Sequence, residues 1–382
     1  MFDTLALSAI PPEDEAIRPA IRALIAETCS GMTLPQRART WMGVDAEFSR
    51  KMGAAGFLGL TLPKQYGGHE RGPFARWVVV EELLSYGAPV GLHWIGDRQS
   101  ALVILNYGTD EQKRWFLPKI CAGEIYFCIG MSEPGSGSDL ASVRSRAERT
   151  ETGWRLNGHK IWTTNGHLGH YAITLVRTSG DPESRHAGLS QVIVDLRAPG
   201  VTVRPIADLN GDTDFNEIFF DNVELPPDAL LGQEGGGWAQ VNAELAFERS
   251  GPERIYSCLV AVDAWVKHIK AHGADEARLR LAGSLMAQLA TLRQISIAVT
   301  ARLVLGERPL TEASLSKDLG TGFEQAIPHQ IADDLAAHPE ETADPDFKAA
   351  LILLMQISPA FSLRGGTREI MRGIIARGLG LR

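Results

Sequence analysis

The chain has 382 residues, 44% hydrophobic and 22% charged, which excludes intrinsic disorder and exceeds what a single hydrophobic core usually serves. A formal net charge of -8 weighs against nucleic acid as a partner. Cys29, Cys121, Cys128 and Cys258 show no CxxC spacing, so they read as free thiols of a reducing compartment with no disulfide framework and no metal site.

The first twenty residues carry no basic region ahead of a long apolar run, and no apolar run is long enough to span a bilayer. A cytoplasmic protein with no membrane partner is expected. Residues 1–125 read as helical. Ile17, Ile21, Leu24 and Ile25 recur at helical spacing. WVVVEELLSYG, 77–87, is an apolar helix with a glycine stop, and GTDEQKRWFLPKI, 108–120, opens with a threonine cap and acidic residues. Residues 126–235 switch to short β-rich runs separated by Gly, Asn, Asp and Pro, which predicts a small antiparallel sheet or barrel. From 236 to 382 the helical pattern returns. The stretch 277–307 is apolar around most of its circumference, as suits the inside of a bundle, and HPEETADPDF, 338–347, reads as a loop. The order is a helical domain, a β domain and a helical bundle domain.

Two Gly-rich stretches hold the chemistry. In MSEPGSGSDLA, 131–141, Gly135 and Gly137 permit close backbone approach, and Ser132, Ser136 and Ser138 supply hydroxyls. Such a loop suits a polar planar ring or a phosphate, although taken alone it also reads as a surface turn. KIWTTNG, 160–166, sets Trp162 beside threonine hydroxyls at a strand end. Neither is a GxGxxG or a P-loop.

Together with FFDNVELP (219–226), LLGQEGGGW (230–238) and GGTREIMRGIIARGLGLR (365–382), these stretches resemble the acyl-CoA dehydrogenase family over nearly the whole chain. GTDEQKRWFLPKICAGE, 108–124, is similar to that family's N-terminal helical domain. The resemblance implies a mainly α fold with a central β domain, and FAD in a cleft between the β domain and the C-terminal four-helix bundle. It assigns Met131 and Ser132 to the flavin ring, with Gly137 in the same cofactor loop. Ser138 falls near the flavin phosphates and the CoA arm. It stacks Trp162 on the flavin, brings Thr164 to its polar edge, and gives Thr367 and Glu369 later FAD contacts. Arg249 falls near the CoA portion of the substrate, with an ion pair to a neighbouring Glu as the alternative.

The family's reaction removes a Cα proton from an acyl-CoA while hydride leaves Cβ for the flavin. It needs a positioned carboxylate in an apolar pocket and donors for the thioester oxygen. Many members carry that carboxylate immediately before Gly-Thr in the terminal motif, where this chain has Arg364-Gly365-Gly366-Thr367. A minority branch, which includes steroid side-chain dehydrogenases, places it on the first helix of the C-terminal domain, just before an Arg. Phe247-Glu248-Arg249 matches that position. Glu248 is therefore expected to be the base, with Glu244 and Glu253 as competitors, and the Gly365 N–H as an oxygen donor. KDLGTGFEQ, 317–325, resembles the same branch.

Two family elements are missing. HIKAHGADEARLR, 268–280, stands where RxxFG is usual, and LLMQISPAFSLRGGT, 353–367, lacks QxxGG. Both elements concern the adenine half of FAD. The resemblance further implies a homo- or hetero-oligomer and an electron-transfer flavoprotein as acceptor. The rival readings are an FAD-stabilising, non-catalytic subunit of a mixed tetramer, and a same-fold flavin oxidase or monooxygenase. A silent subunit is expected to have lost both bases, whereas this chain retains Glu248.

Overall fold

The computed structural model describes residues 5–381, apart from the side chains of residues 243–248. Local chemistry sets the ends of the N-terminal helices. Helix α1, Arg18–Cys29, buries Ile21 and Ile25, the two isoleucines one turn apart. Helix α2, Pro73–Tyr86, stops at Gly87, whose φ of 83° is left-handed and whose N–H returns to the carbonyls of Leu83 and Leu84. A Cβ at Gly87 would stand 2.2 Å from the Arg37 carbonyl oxygen, so the stop is also a close approach. Helix α3, Asp110–Cys121, starts at Thr109, which forms a capping box with Gln112.

Eight strands follow: β1 Phe127–Gly130, β2 Arg146–Arg149, β3 Trp154–Thr164, β4 Tyr171–Arg177, β5 Leu189–Asp195, β6 Val201–Ile206, β7 Phe215–Leu225 and β8 Leu230–Leu231. They form one sheet in the order β6-β7-β3-β2-β4-β5-β8, with β1 added on β4. The sheet is mixed, which corrects the antiparallel expectation. β1 runs parallel to β4, from Phe127 opposite Tyr171 to Gly130 opposite Thr174. The connection from β1 to β4 contains β2 and β3 and is long enough to return the chain to the same end, as a tight hairpin cannot. β4 and β5 are almost wholly buried, while β3 begins with the alternation of buried Trp154 and Leu156 against exposed Arg155 and Asn157. Their core gathers Cys128, Trp154, Leu156, Val192, Val194 and Phe220.

The C-terminal helices are α4 Gly237–Glu248, α5 Leu259–His272, α6 Glu276–Val304, α7 Leu310–Ala337, α8 Pro345–Ile357 and α9 Arg368–Gly378. Only part of α6 is interior. Ser296 to Thr300 are buried, whereas Leu279 and Met286 are 61% and 56% exposed. The expected enclosure fails there because, among the described residues, nothing covers Leu279 or Met286. Pro345 opens α8 at its first turn, and 338–344 is the expected loop.

The chain divides into two compact units. One comprises Met1–Gly43, Arg71–Val90 and Ala246–Arg382; the other comprises Val44–Glu70 and Gly91–Leu245. In the first, Glu81 on α2 accepts from the Tyr256 hydroxyl at 2.6 Å and Arg293 Nε at 2.6 Å, and pairs with Arg18 at 2.6 Å. All four cysteines are buried thiols. Among the described residues, no helix is long and apolar enough to cross a membrane.

Candidate functional site

In the unit that contains the sheet, the loop after β1 is clamped from both ends. Lys160 on β3 is fully buried, and its ammonium donates to the Met131 carbonyl at 3.0 Å and to Glu133 Oε1 at 2.7 Å. Glu133 also accepts the N–H groups of Arg144 at 2.7 Å and Ser145 at 2.9 Å. Burial raises the Glu133 carboxyl, but the Lys160 charge and these donors outweigh it and leave it below its ordinary value. Burial likewise pulls Lys160 down to about 8, with Glu133 opposing the fall. At the far end of the loop, Arg177 donates to the carbonyls of Ala141 at 3.1 Å and Val143 at 3.3 Å. Met131 packs against the small cluster of Val143, Leu175, Leu189 and Val241.

The middle of the loop is open. Gly135 and Gly137 are exposed, and a Cβ on either would meet nothing within 4 Å, so packing does not account for them. Ser138 is exposed and Ser132 half-buried; the Ser132 carbonyl accepts the Ile161 N–H at 3.0 Å and so lays the loop along β3.

Beyond Ile161 the strand is bulged. The β3–β7 register slips between Lys160 and Thr163, and Trp162, inside the slip, has φ of 60°. A left-handed tryptophan is uncommon and costs roughly 1–2 kcal/mol. The bulge holds its ring 58% exposed, edge-on to Phe215 at 6.2 Å. Thr164 is half-buried beside it. Thr163 Oγ1 is buried and has no hydrogen-bond partner among the described residues. An aromatic face held open by backbone strain, a loop left open at two glycines and half-buried hydroxyls suit a planar ring with polar edges. The residues therefore fit a flavin.

In the other unit, Gly365 and Gly366 have φ of 64° and 100°, a backbone path that few residues except glycine adopt. Arg249 is buried and its Nε donates to the Gly365 carbonyl at 3.2 Å. This places Arg249 on the terminal loop, the contact that the motif alone did not disclose. Arg364 stacks its guanidinium over Trp41 and Phe361, each at 3.9 Å. Glu324, fully buried on α7, accepts the Ser257 N–H at 2.7 Å; burial raises its carboxyl, and the Arg364 charge opposes that. Thr367 caps α9 through the Ile370 N–H at 3.4 Å, and Glu369 lies exposed in the first turn. Glu253 is buried in the short turn Pro252–Arg254. The side chains of Glu244 and Glu248 lie outside the described residues; α4 ends at Glu248.

The segment 268–280, which stands in place of RxxFG, is folded on itself. Arg278 is buried and donates to Gly273 O at 3.0 Å and to both Glu341 oxygens at 2.7 Å, while His268 Nε2 lies 2.9 Å from Glu341 Oε2. The sequence reading missed this knot and the Lys160–Glu133 pair. The signal for the pair was available, since both charges stand inside the two Gly-rich motifs.

Comparison with known proteins agrees with this geometry. Residues 11–124 match the model of the acyl-CoA dehydrogenase N-terminal domain, and residues 128–223 match that of the middle domain. Acyl-CoA dehydrogenase FadE26 of Mycobacterium tuberculosis is 31% identical, over 95% of this chain and 96% of its own. A solved structure described as the Tcur3481-Tcur3483 steroid ACAD superposes with TM-score 0.86 and 26% identity, over 97% of this chain and 98% of that one. The ChsE4-ChsE5 complex of Mycobacterium tuberculosis superposes with TM-score 0.82 and 28% identity, over 98% and 99%.

Proposed function

This chain belongs to the acyl-CoA dehydrogenase family and is an acyl-CoA dehydrogenase, an oxidoreductase whose family membership implies a flavin; from that premise we propose an FAD enzyme that desaturates a bulky or branched acyl-CoA with Glu248 as its base. The observation that carries the cofactor assignment is Trp162, held exposed at φ 60° beside a loop that leaves open space at Gly135 and Gly137.

Met131, Ser132, Gly137, Ser138, Trp162 and Thr164 would hold the flavin, joined by Thr367 and Glu369. When bound, the flavin supplies the two-electron acceptor for hydride leaving Cβ. Glu248 takes the Cα proton, and the product is the α,β-unsaturated thioester. The Gly365 N–H donates to the thioester oxygen, where negative charge develops as the proton leaves. Ser138 and Arg249 belong to the substrate side, Arg249 through its hold on the Gly365 carbonyl. The preference for a bulky acyl group is supported by the glycine at 365, which leaves pocket volume where a carboxylate is usual, and by similarity to a structure described as a steroid ACAD. Assembly with a second copy or a homologous chain is supported by exposed Leu279 and Met286 on α6 and by neighbours described as two-component proteins. An electron-transfer flavoprotein is the proposed acceptor.

Anaerobic titration with a panel of acyl-CoAs tests this reading. The flavin is expected to bleach with alicyclic or branched acyl-CoAs more readily than with straight chains. Release of FMN in place of FAD on heating, or no bleaching by any acyl-CoA, would overturn it.

A further inference from the structure

The KDLGTGFEQ stretch, 317–325, has no part in the chemistry described so far. It lies on α7, and three of its polar side chains, Lys317, Asp318 and Gln325, engage one segment. Gln325 Nε2 donates to the carbonyls of Ser358 at 3.1 Å and Pro359 at 3.2 Å. Lys317, fully buried, donates to the Ser362 carbonyl at 3.4 Å and closely to the Gly366 carbonyl. Asp318 receives Arg368 Nε at 2.7 Å at the start of α9. One face of α7 therefore holds the terminal loop at its entry, its middle and its exit.

The middle contact has a chemical consequence. A peptide unit is planar and trans, so the direction of a carbonyl fixes the N–H of the next residue to the opposite side. Arg249 takes the Gly365 carbonyl and Lys317 takes the Gly366 carbonyl. Two successive peptide planes are thereby set, across two glycines with no side chains of their own to set them. Arg364, stacked between Trp41 and Phe361, anchors the residue before. The Gly365 N–H belongs to the plane before these two; it is joined to them through the Gly365 torsions, is bounded on its other side by the Arg364 anchor, and has no backbone acceptor among the described residues.

We propose that Lys317 is a positioning residue for the dehydrogenation: its ammonium locks the Gly365–Gly366 backbone so that the loop presents its N–H to the thioester oxygen. A buried lysine is costly to maintain, and the Gly366 carbonyl contributes to offsetting that cost while the loop keeps this path. Glycines without the lock would sample several. The inference rests on the reading that the Gly365 loop receives the thioester oxygen.

The test uses flavin-loaded Lys317→Met, Lys317→Gln and Lys317→Arg, with flavin reduction followed anaerobically by stopped flow. The rate constant is read only from flavin-bearing molecules, so a partly folded preparation still answers. Lys317→Met is expected to lower the limiting rate constant by about 10- to 100-fold, the scale of a misplaced donor, while the acyl-CoA concentration for half-saturation changes less than about 3-fold. Lys317→Arg, which restores charge and donors, is expected to recover part of the rate. A 3-thia-acyl-CoA, whose acidified Cα gives an enolate, should also show a weaker charge-transfer band in Lys317→Met. A limiting rate within about 2-fold of wild type in Lys317→Met overturns the proposal, as does a change confined to half-saturation. Failure of every variant to hold flavin assigns Lys317 to the fold alone and equally overturns it. If wild-type enzyme itself is not reduced by any acyl-CoA, it is the underlying function that fails.

Discussion

Lys160 and Glu133 form a buried ion pair, 2.7 Å from Nζ to Oε1, and the same ammonium holds the Met131 carbonyl at 3.0 Å. The strand that carries Trp162 thus grips the loop that carries Ser132 and Gly137. Lys160→Met keeps the length and removes the charge, leaving Glu133 with its two backbone donors. Breaking a buried pair from one side costs about 3–5 kcal/mol. The variant is expected to lose bound flavin, read as visible absorbance per protein, and to melt at lower temperature. Glu133→Gln, which still accepts a hydrogen bond, should cost less on both readouts.

Trp162 separates stability from cofactor binding. Its left-handed backbone is a cost to the fold, and its exposed ring contributes little packing in return. Trp162→Gly relieves the strain but loosens the unfolded chain, so apoprotein Tm should stay level or rise slightly. Flavin affinity should fall by about 10-fold or more, since a stacked ring contributes about 0.5–1.5 kcal/mol beyond the area it covers. A parallel loss of Tm and flavin would mean that the ring is structural.

The Arg278 knot should govern acid stability. Hydrogen bonds from Arg278 hold the Glu341 carboxyl near 2, below its ordinary value of 4.5. A depressed carboxyl contributes stability that is present above its ordinary value and lost as pH falls through the folded one. Wild type and Arg278→Met should therefore differ most in Tm near neutral pH, and the gap should narrow between about pH 5 and pH 2. A gap that stays constant across that range would place the benefit of Arg278 in packing instead.

Much of the fold was legible because its signals are local. Thr109 with Gln112, Gly87 after an apolar helix, and the isoleucines of α1 each declare an element within one turn of sequence. The motifs at 131–141 and 160–166 located the loop and strand that fit a flavin. The parallel pairing of β1 with β4 was not legible, because strand direction depends on a connection and not on either strand's pattern. The exposure of Leu279 and Met286 was missed because periodicity shows which residues are apolar but not what covers them. Lys160 and Glu133 are 27 positions apart and only their shared membership of the two motifs hinted at the pair, while Lys317 and Gly366, 49 positions apart, carry no mark of each other in sequence.

The central claim is that Glu248 takes the Cα proton. Glu248→Gln keeps the volume and hydrogen-bonding reach of the side chain but removes the basic carboxylate. The measurement is the rate constant of anaerobic flavin reduction by a productive acyl-CoA, in wild type, Glu248→Gln and the neighbouring control Glu244→Gln. With flavin content and Tm preserved, Glu248→Gln is expected to be slower by about 100- to 10,000-fold, the range of a positioned general base, and Glu244→Gln far less affected. Reduction of Glu248→Gln at near the wild-type rate would contradict the assignment and make that carboxylate a structural one.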